Sequence, residues 1–201
     1  MMAKQVIIAD PASEAGAKVA DFLTRKGWSV ITVSSKSAGA DYSCDLLNRD
    51  EVIALIDRIE TERGPVYGLF TSTPFEFPGI NFSEATPDNW KARLDAWLAF
   101  ATNICFACGK HMAARKEGRI MLLTPDFNRV KGDCVVEATA AGSLHGFLKS
   151  FGLEIANDFV CVNGIYAGLP LDFEAINSTC DYLLADGSYV AAQLISLAEK
   201  A

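Results

Sequence analysis

The chain has 201 residues, half of them hydrophobic and 21% charged, with a net charge of −7 and a pI near 4.8. That is enough chain for one core, read as one domain over 1–201, and the acidic balance excludes a broad attraction to phosphate backbones, so no nucleic-acid partner is expected. No apolar run approaches the ~18 residues of a membrane span, and the amino-terminal one is too short for a signal peptide, so no membrane partner and a cytoplasmic location are expected.

Gln5–Ala9 (QVIIA) is a short β-branched run that predicts a buried strand. Asp10, Pro11 and Ser13 then open a helix with Ala15, Val19, Phe22 and Leu23 on one face, and Gly27 stops it. Trp28–Val33 is the next strand and Ser34–Tyr42 a polar loop. Asn48 is placed to cap a helix over Arg49–Arg63, which Gly64 and Pro65 end before a strand at Tyr67–Phe70. Pro74–Pro87 reads as the longest irregular stretch.

From Asp88 to Lys116 the pattern predicts a long helix that is apolar on much of its circumference, through Leu94, Trp97, Phe100, Ala101, Ile104 and Cys105. Arg119–Leu123 follows as a strand, Val135–Ala156 as a second long helix and Phe159–Ile165 as another strand. Tyr182–Ala192 is expected as a short helix and Gln193–Leu197 as a last strand. Strands and helices alternating at these lengths predict an α/β fold, a Rossmann-like doubly wound parallel sheet with helices on both faces.

Five segments then fall into a known order. They are Cys44-Asp45-Leu46, in the place of a third strand before a helix, the helix from Trp90 to Met112, Gly146–Ala156 (GFLKSFGLEIA), Val162–Gly168 (VNGIYAG) and Ala185–Tyr189 (ADGSY) with Gln193. Together they resemble the short-chain dehydrogenase/reductase family over nearly the whole chain. The resemblance implies a dinucleotide at the first strand–helix turn, with Asp45 where an aspartate meets the adenine. It also implies a tyrosine–lysine pair that moves the proton, and a serine that holds the substrate carbonyl.

At those places the chain departs from the pattern. The turn reads Ala9–Gly16 (ADPASEAG), so only Gly16 remains of three glycines, and Asp10 and Glu14 stand at the other two. At about 4 Å and an effective dielectric near 20, each carboxylate would oppose a phosphate charge by roughly 4 kcal/mol. The competing reading is that Asp10 or Ser13 caps the helix and Glu14 sits well in its first turn. The asparagine-rich loop is replaced by Thr71–Pro74 (TSTP), the tyrosine position by Glu137, the lysine position by Ala141, the helix asparagine by Trp97 and the serine by Thr124. The stretch from Gly168 to Asp181 leaves a truncated substrate lid.

Cys105 and Cys108 form a CxxC with His111 three residues on, but in mid-helix, where nothing depresses a thiol pKa. All six cysteines are expected to be reduced and packed, and no metal is expected. His145 with Ser143 does not make a nucleophile pair, because the helix phase is wrong. The expectation is therefore no cofactor and a chain that is not an enzyme by itself. It would be a pseudoenzyme subunit assembling with an active short-chain dehydrogenase as a heterotetramer, in a system such as anaerobic toluene degradation through CoA thioesters. The two long helices would form the interface, through Trp97, Phe100, Ala101, Ile104, Phe147 and Phe151. Two alternatives stay open: a metabolite-binding sensor, and a divergent enzyme using Glu137 or Cys134.

Overall fold

The structure is a computed structural model that describes residues 3–9, 13–35, 39–73, 83–126 and 134–197. Seven strands, β1 (Gln5–Ala9), β2 (Ser29–Ser34), β3 (Tyr42–Ser43), β4 (Val66–Ser72), β5 (Gly118–Pro125), β6 (Val160–Ala167) and β7 (Leu194–Ser196), form one parallel sheet in the order β3-β2-β1-β4-β5-β6-β7. Among the described residues five α-helices cover it: α1 (Glu14–Arg25), α2 (Arg49–Arg63), α3 (Pro87–Arg115), α4 (Val135–Ile155) and α5 (Phe173–Leu184). The expected Rossmann-like α/β fold is what the chain adopts. The strand order reverses between β1 and β4, where such sheets open a crevice at the carboxyl ends of their strands.

Side-chain alternation along the strands divides the core. Ile7 and Ala9 of β1 point into the layer with α2, α3 and α4, while Val6 and Ile8 point into the layer with α1 and α5. Strands buried on both faces explain the near-continuous apolar runs in the sequence. The helix starts follow side-chain capping. Asn48 accepts from the amides of Asp50 and Glu51, and Thr86 and Asn89 cap α3 reciprocally with Pro87 in the first turn.

Two elements differ from the sequence reading. A two-residue strand, β3, lies at the end of the stretch read as a polar loop, held beside β2 through Val33 and Ser34. The last helix is Phe173–Leu184, not Tyr182–Ala192. Asp172 caps it by accepting from Glu174 and Ala175, and Ile176, Cys180, Leu183 and Leu184 are its buried stripe. Residues 168–172 alone join β6 to α5, so the connection is shorter than the sequence suggested. Most of the expected irregular stretch from Pro74 lies outside the described residues, as does Asp10.

Five cysteines are buried and Cys134 is half-buried, all as free thiols. Burial pushes Cys105 up to about 12 and Cys108 well above its ordinary value, which removes any thiolate character from the CxxC. His111 lies 2.6 Å from Asp57 on α2 instead. Among the described residues no cluster of His, Cys, Asp and Glu is grouped to hold a metal, and no helix is long and apolar enough to cross a membrane.

A bulge between β1 and β4 turns both Tyr67 and Gly68 toward the α1/α5 layer. A Cβ at Gly68 would stand 2.8 Å from Leu184 Cδ2 and 2.9 Å from Val6 Cγ2, so α5 closes on the sheet only over a glycine. Gly68→Ala is expected to lower stability by about 1–3 kcal/mol through overpacking, measured as a lower urea midpoint at unchanged slope.

Candidate active site

The family's substrate-binding serine position falls at Thr124, near the carboxyl end of β5. Thr124 is fully buried, and its register partner on β6 is Tyr166. Neighbouring residues in a parallel pair point the same way, so both hydroxyls face one layer. On α4, Glu137, Ala141 and His145 follow one another at four-residue intervals along the side that meets the sheet. His145 therefore reaches down between the two strands. Its Nε2 is 3.2 Å from Thr124 Oγ1, its Nδ1 is hydrogen-bonded to the Tyr166 hydroxyl, and the two rings meet edge-on at 4.0 Å.

Burial sets the charge state of this centre. It pulls His145 down to about 4, with the Asp126 carboxylate opposing, and pushes Tyr166 up to about 12, with Asp126 adding to the rise. A neutral imidazole has one donor and one acceptor nitrogen. If Tyr166 donates to Nδ1, then Nε2–H donates to Thr124 and the Thr124 proton is free for an outside acceptor. In the other tautomer, Thr124 donates to Nε2, Nδ1–H donates to Tyr166, and the Tyr166 proton is free. The three groups together offer one hydroxyl proton, at either end, suited to the lone pair of a carbonyl oxygen.

The sequence reading placed no catalytic group at the family positions and set His145 aside on helix phase. The phase relation to Ser143 is as expected, since Ser143 donates to the Thr139 carbonyl. The partner it overlooked comes from another element. Glu137, at the tyrosine position, is fully buried with the Arg93 guanidinium of α3 at 3.1 Å, and neither carboxylate oxygen has an aligned hydrogen bond among the described residues. Cys134 stands at the start of α4 without a side-chain capping bond. Ala141 and Trp97 are buried in the chain's own core.

The dinucleotide that the family implies would lie across the carboxyl ends of β1 and β4, with its pyrophosphate at the start of α1. The described residues do not fit it held in that way. Ser13 Oγ caps α1, accepting from the amide of buried Gly16 at 3.0 Å, and lies 3.3 Å from the Ser72 hydroxyl at the end of β4, across the crevice. Glu14 is exposed in the first turn, where its carboxylate favours the helix end itself. On the other side of the site, Ala141 offers no ammonium for a ribose.

Because His145 titrates lower in the folded chain than its ordinary 6.5, the unfolded chain takes up the proton first. The stability this neutral ring contributes is complete above about 6.5 and is lost as pH falls toward 4. We expect a melting temperature that declines over that window, a His145 ring resonance that stays neutral until near 4, and a flatter decline in His145→Asn. A ring that titrates at its ordinary value would contradict the buried hydrogen-bonded pair.

Residues 6–182 match the family model described as enoyl-(acyl carrier protein) reductase. The acetoacetyl-CoA reductase of Paracoccus denitrificans is 27% identical over 203 residues, covering 92% of this chain and 81% of that protein. Among solved structures, the ligand-free aldohexose dehydrogenase of Thermoplasma acidophilum superposes with a TM-score of 0.85 at 18% identity, over 97% of this chain and 92% of that one. An NAD+-bound xylitol dehydrogenase does so at 0.86 and 15%, over 96% and 97%. At these identities the structural likeness speaks for the fold alone. The sequence matches are to reductases, and they overturn the expectation that the chain is not an enzyme by itself: a missing turn glycine or tyrosine–lysine pair marks a departure from the family pattern and does not establish inactivity. By the match over most of its length, the chain belongs to the short-chain dehydrogenase/reductase family of oxidoreductases.

Proposed function

We propose that this chain is a subunit of a short-chain dehydrogenase/reductase assembly that handles acyl thioesters. It joins an intact dehydrogenase of the family through the outer faces of α3 and α4, in a heterotetramer. The observation that carries this reading is an aromatic cluster on those faces. Phe106 of α3 is 52% exposed and meets Phe147 and Phe151 of α4 edge-on at 5.4 and 5.2 Å, while Phe147 and Phe151 stack at 5.3 Å. Beside them Gly142 and Gly146 are exposed, with nothing within 4 Å of a built Cβ, so another helix could approach closely. An open aromatic patch beside small residues suits helix-to-helix contact.

The interface is narrower than the sequence reading made it. Trp97, Ala101, Ile104 and Phe151 are buried against this chain's own sheet and helices. Phe100 and Phe147 are half-buried, and Phe106, which the sequence reading passed over, is the most open of the cluster.

The substrate class rests on the sequence relatives, whose printed names carry CoA and acyl-carrier-protein thioesters, and on the Thr124–His145–Tyr166 centre, which suits a carbonyl oxygen. The 2-(hydroxy(phenyl)methyl)succinyl-CoA dehydrogenase of anaerobic toluene degradation is the first system in which to look for the assembly. A second reading, a module that binds a carbonyl metabolite as a sensor, is favoured by the same neutral hydroxyl pair.

The test is co-expression with an intact short-chain dehydrogenase encoded beside it, purification on a tag carried by this chain alone, and light scattering. A mixed complex of four chains is expected. Gly146→Leu should abolish it while leaving the single chain folded and no less stable, because leucine is the better helix former by about 0.5–1 kcal/mol and its Cβ would stand in open space on an exposed face of α4. A chain that sizes as a monomer both alone and with the dehydrogenase would refute the assembly.

A further inference from the structure

We infer that a cleft at the amino-terminal edge of the sheet, on the opposite side from Thr124, binds a small anion through Arg119. The cleft has a volume of about 450 Å³ and is bordered by Lys4, Tyr67, Lys116, Arg119, Asp186 and Tyr189. Arg119 follows Gly118 at the start of β5 and is 5% exposed. Its guanidinium lies between two rings, 5.5 Å from Tyr67 and 5.8 Å from Tyr189. Nη1 donates to the carbonyls of Gly118 and Phe159. Nε is buried and has no hydrogen-bond partner among the described residues.

Lys4 bridges two carboxylates of the cleft, Glu117 and Asp186, and Arg115 pairs with Glu60. Lys4 holds the Asp186 carboxyl below its ordinary value, and the charge of Arg119 helps to do so without a direct ion pair. Arg119 and exposed Lys116 have no ion pair among the described residues. A buried guanidinium N–H without an acceptor is costly unless something supplies one. A guanidinium is built to receive two oxygens of one carboxylate or phosphate side by side. The inner ring, Tyr67, is fixed: it is buried and its hydroxyl donates to Asp186. The outer ring, Tyr189, is 73% exposed and covers the guanidinium from solvent. Turning that ring aside opens the way to Nε, and Lys116 stands at the rim to meet the second charge. The ligand class is a small anion with paired oxygens, a carboxylate or a phosphate.

The test follows the Arg119 Nε–H resonance and the melting temperature during separate titrations with sodium phosphate and sodium acetate, sodium chloride holding ionic strength constant. We expect one of the two anions to shift both readouts saturably, phosphate marking a phosphate ester as ligand and acetate an organic acid. Arg119→Lys should weaken that anion at least about tenfold, since a point charge does not replace the fork. Should Arg119→Lys fail to fold, Lys116→Ala and Tyr189→Ala, both at surface positions, must each change the midpoint. No saturable shift with either anion, or the same midpoint in every folded variant, would overturn the inference and leave Arg119 a structural residue.

Discussion

The pairing of β5 with β6 over their full length, Gly118 with Val160 through Pro125 with Ala167, is the constraint on which the centre of the molecule depends. It sets Thr124 beside Tyr166, it brings α4 across both strands, and it fixes where a histidine on that helix arrives. A one-residue slip would turn Tyr166 into the opposite layer. Small residues protect this register: a Cβ at Gly164 would stand 2.7 Å from Leu194 Cδ2 and 2.8 Å from Leu148 Cδ1, so β7 and α4 both close on that position.

The electrostatic character of the site differs from what the family pattern implies. There, a phenol is tuned by a nearby ammonium. Here, the position of the phenol holds a carboxylate paired with Arg93, the position of the ammonium holds a methyl group, and the phenol comes from a strand and meets a neutral imidazole. Such a centre carries hydrogen-bonding capacity without a fixed positive charge. Burial, which raises Tyr166 and lowers His145, keeps both uncharged at neutral pH.

Most strands and helices were legible because each carries its own local signal: a β-branched run, a cap such as Asn48, or a stop such as Gly64. The last helix lies earlier than the Ala185–Tyr189 segment suggests, because Asp172 caps it and Ile176 and Cys180 give it a buried stripe. The Thr124–His145–Tyr166 centre was not legible in one dimension. It needs the β5–β6 register and the phase of α4 together, and no spacing along the chain encodes that. Trp97, Ala101 and Ile104 were misread for a related reason. An all-round apolar helix implies neighbours on several sides, but only the packing tells which of them belong to the same chain.

Thiol chemistry divides along this fold. Cys44, Cys105, Cys108 and Cys180 lie within the two core layers, Cys161 is buried on β6, and Cys134 alone stands half open, at the entry to α4. An alkylating reagent added to the native chain would therefore mark the fraying of a single helix end first. Its later consumption by the other five would time the opening of the sheet itself, so the chain carries an internal clock for its own unfolding.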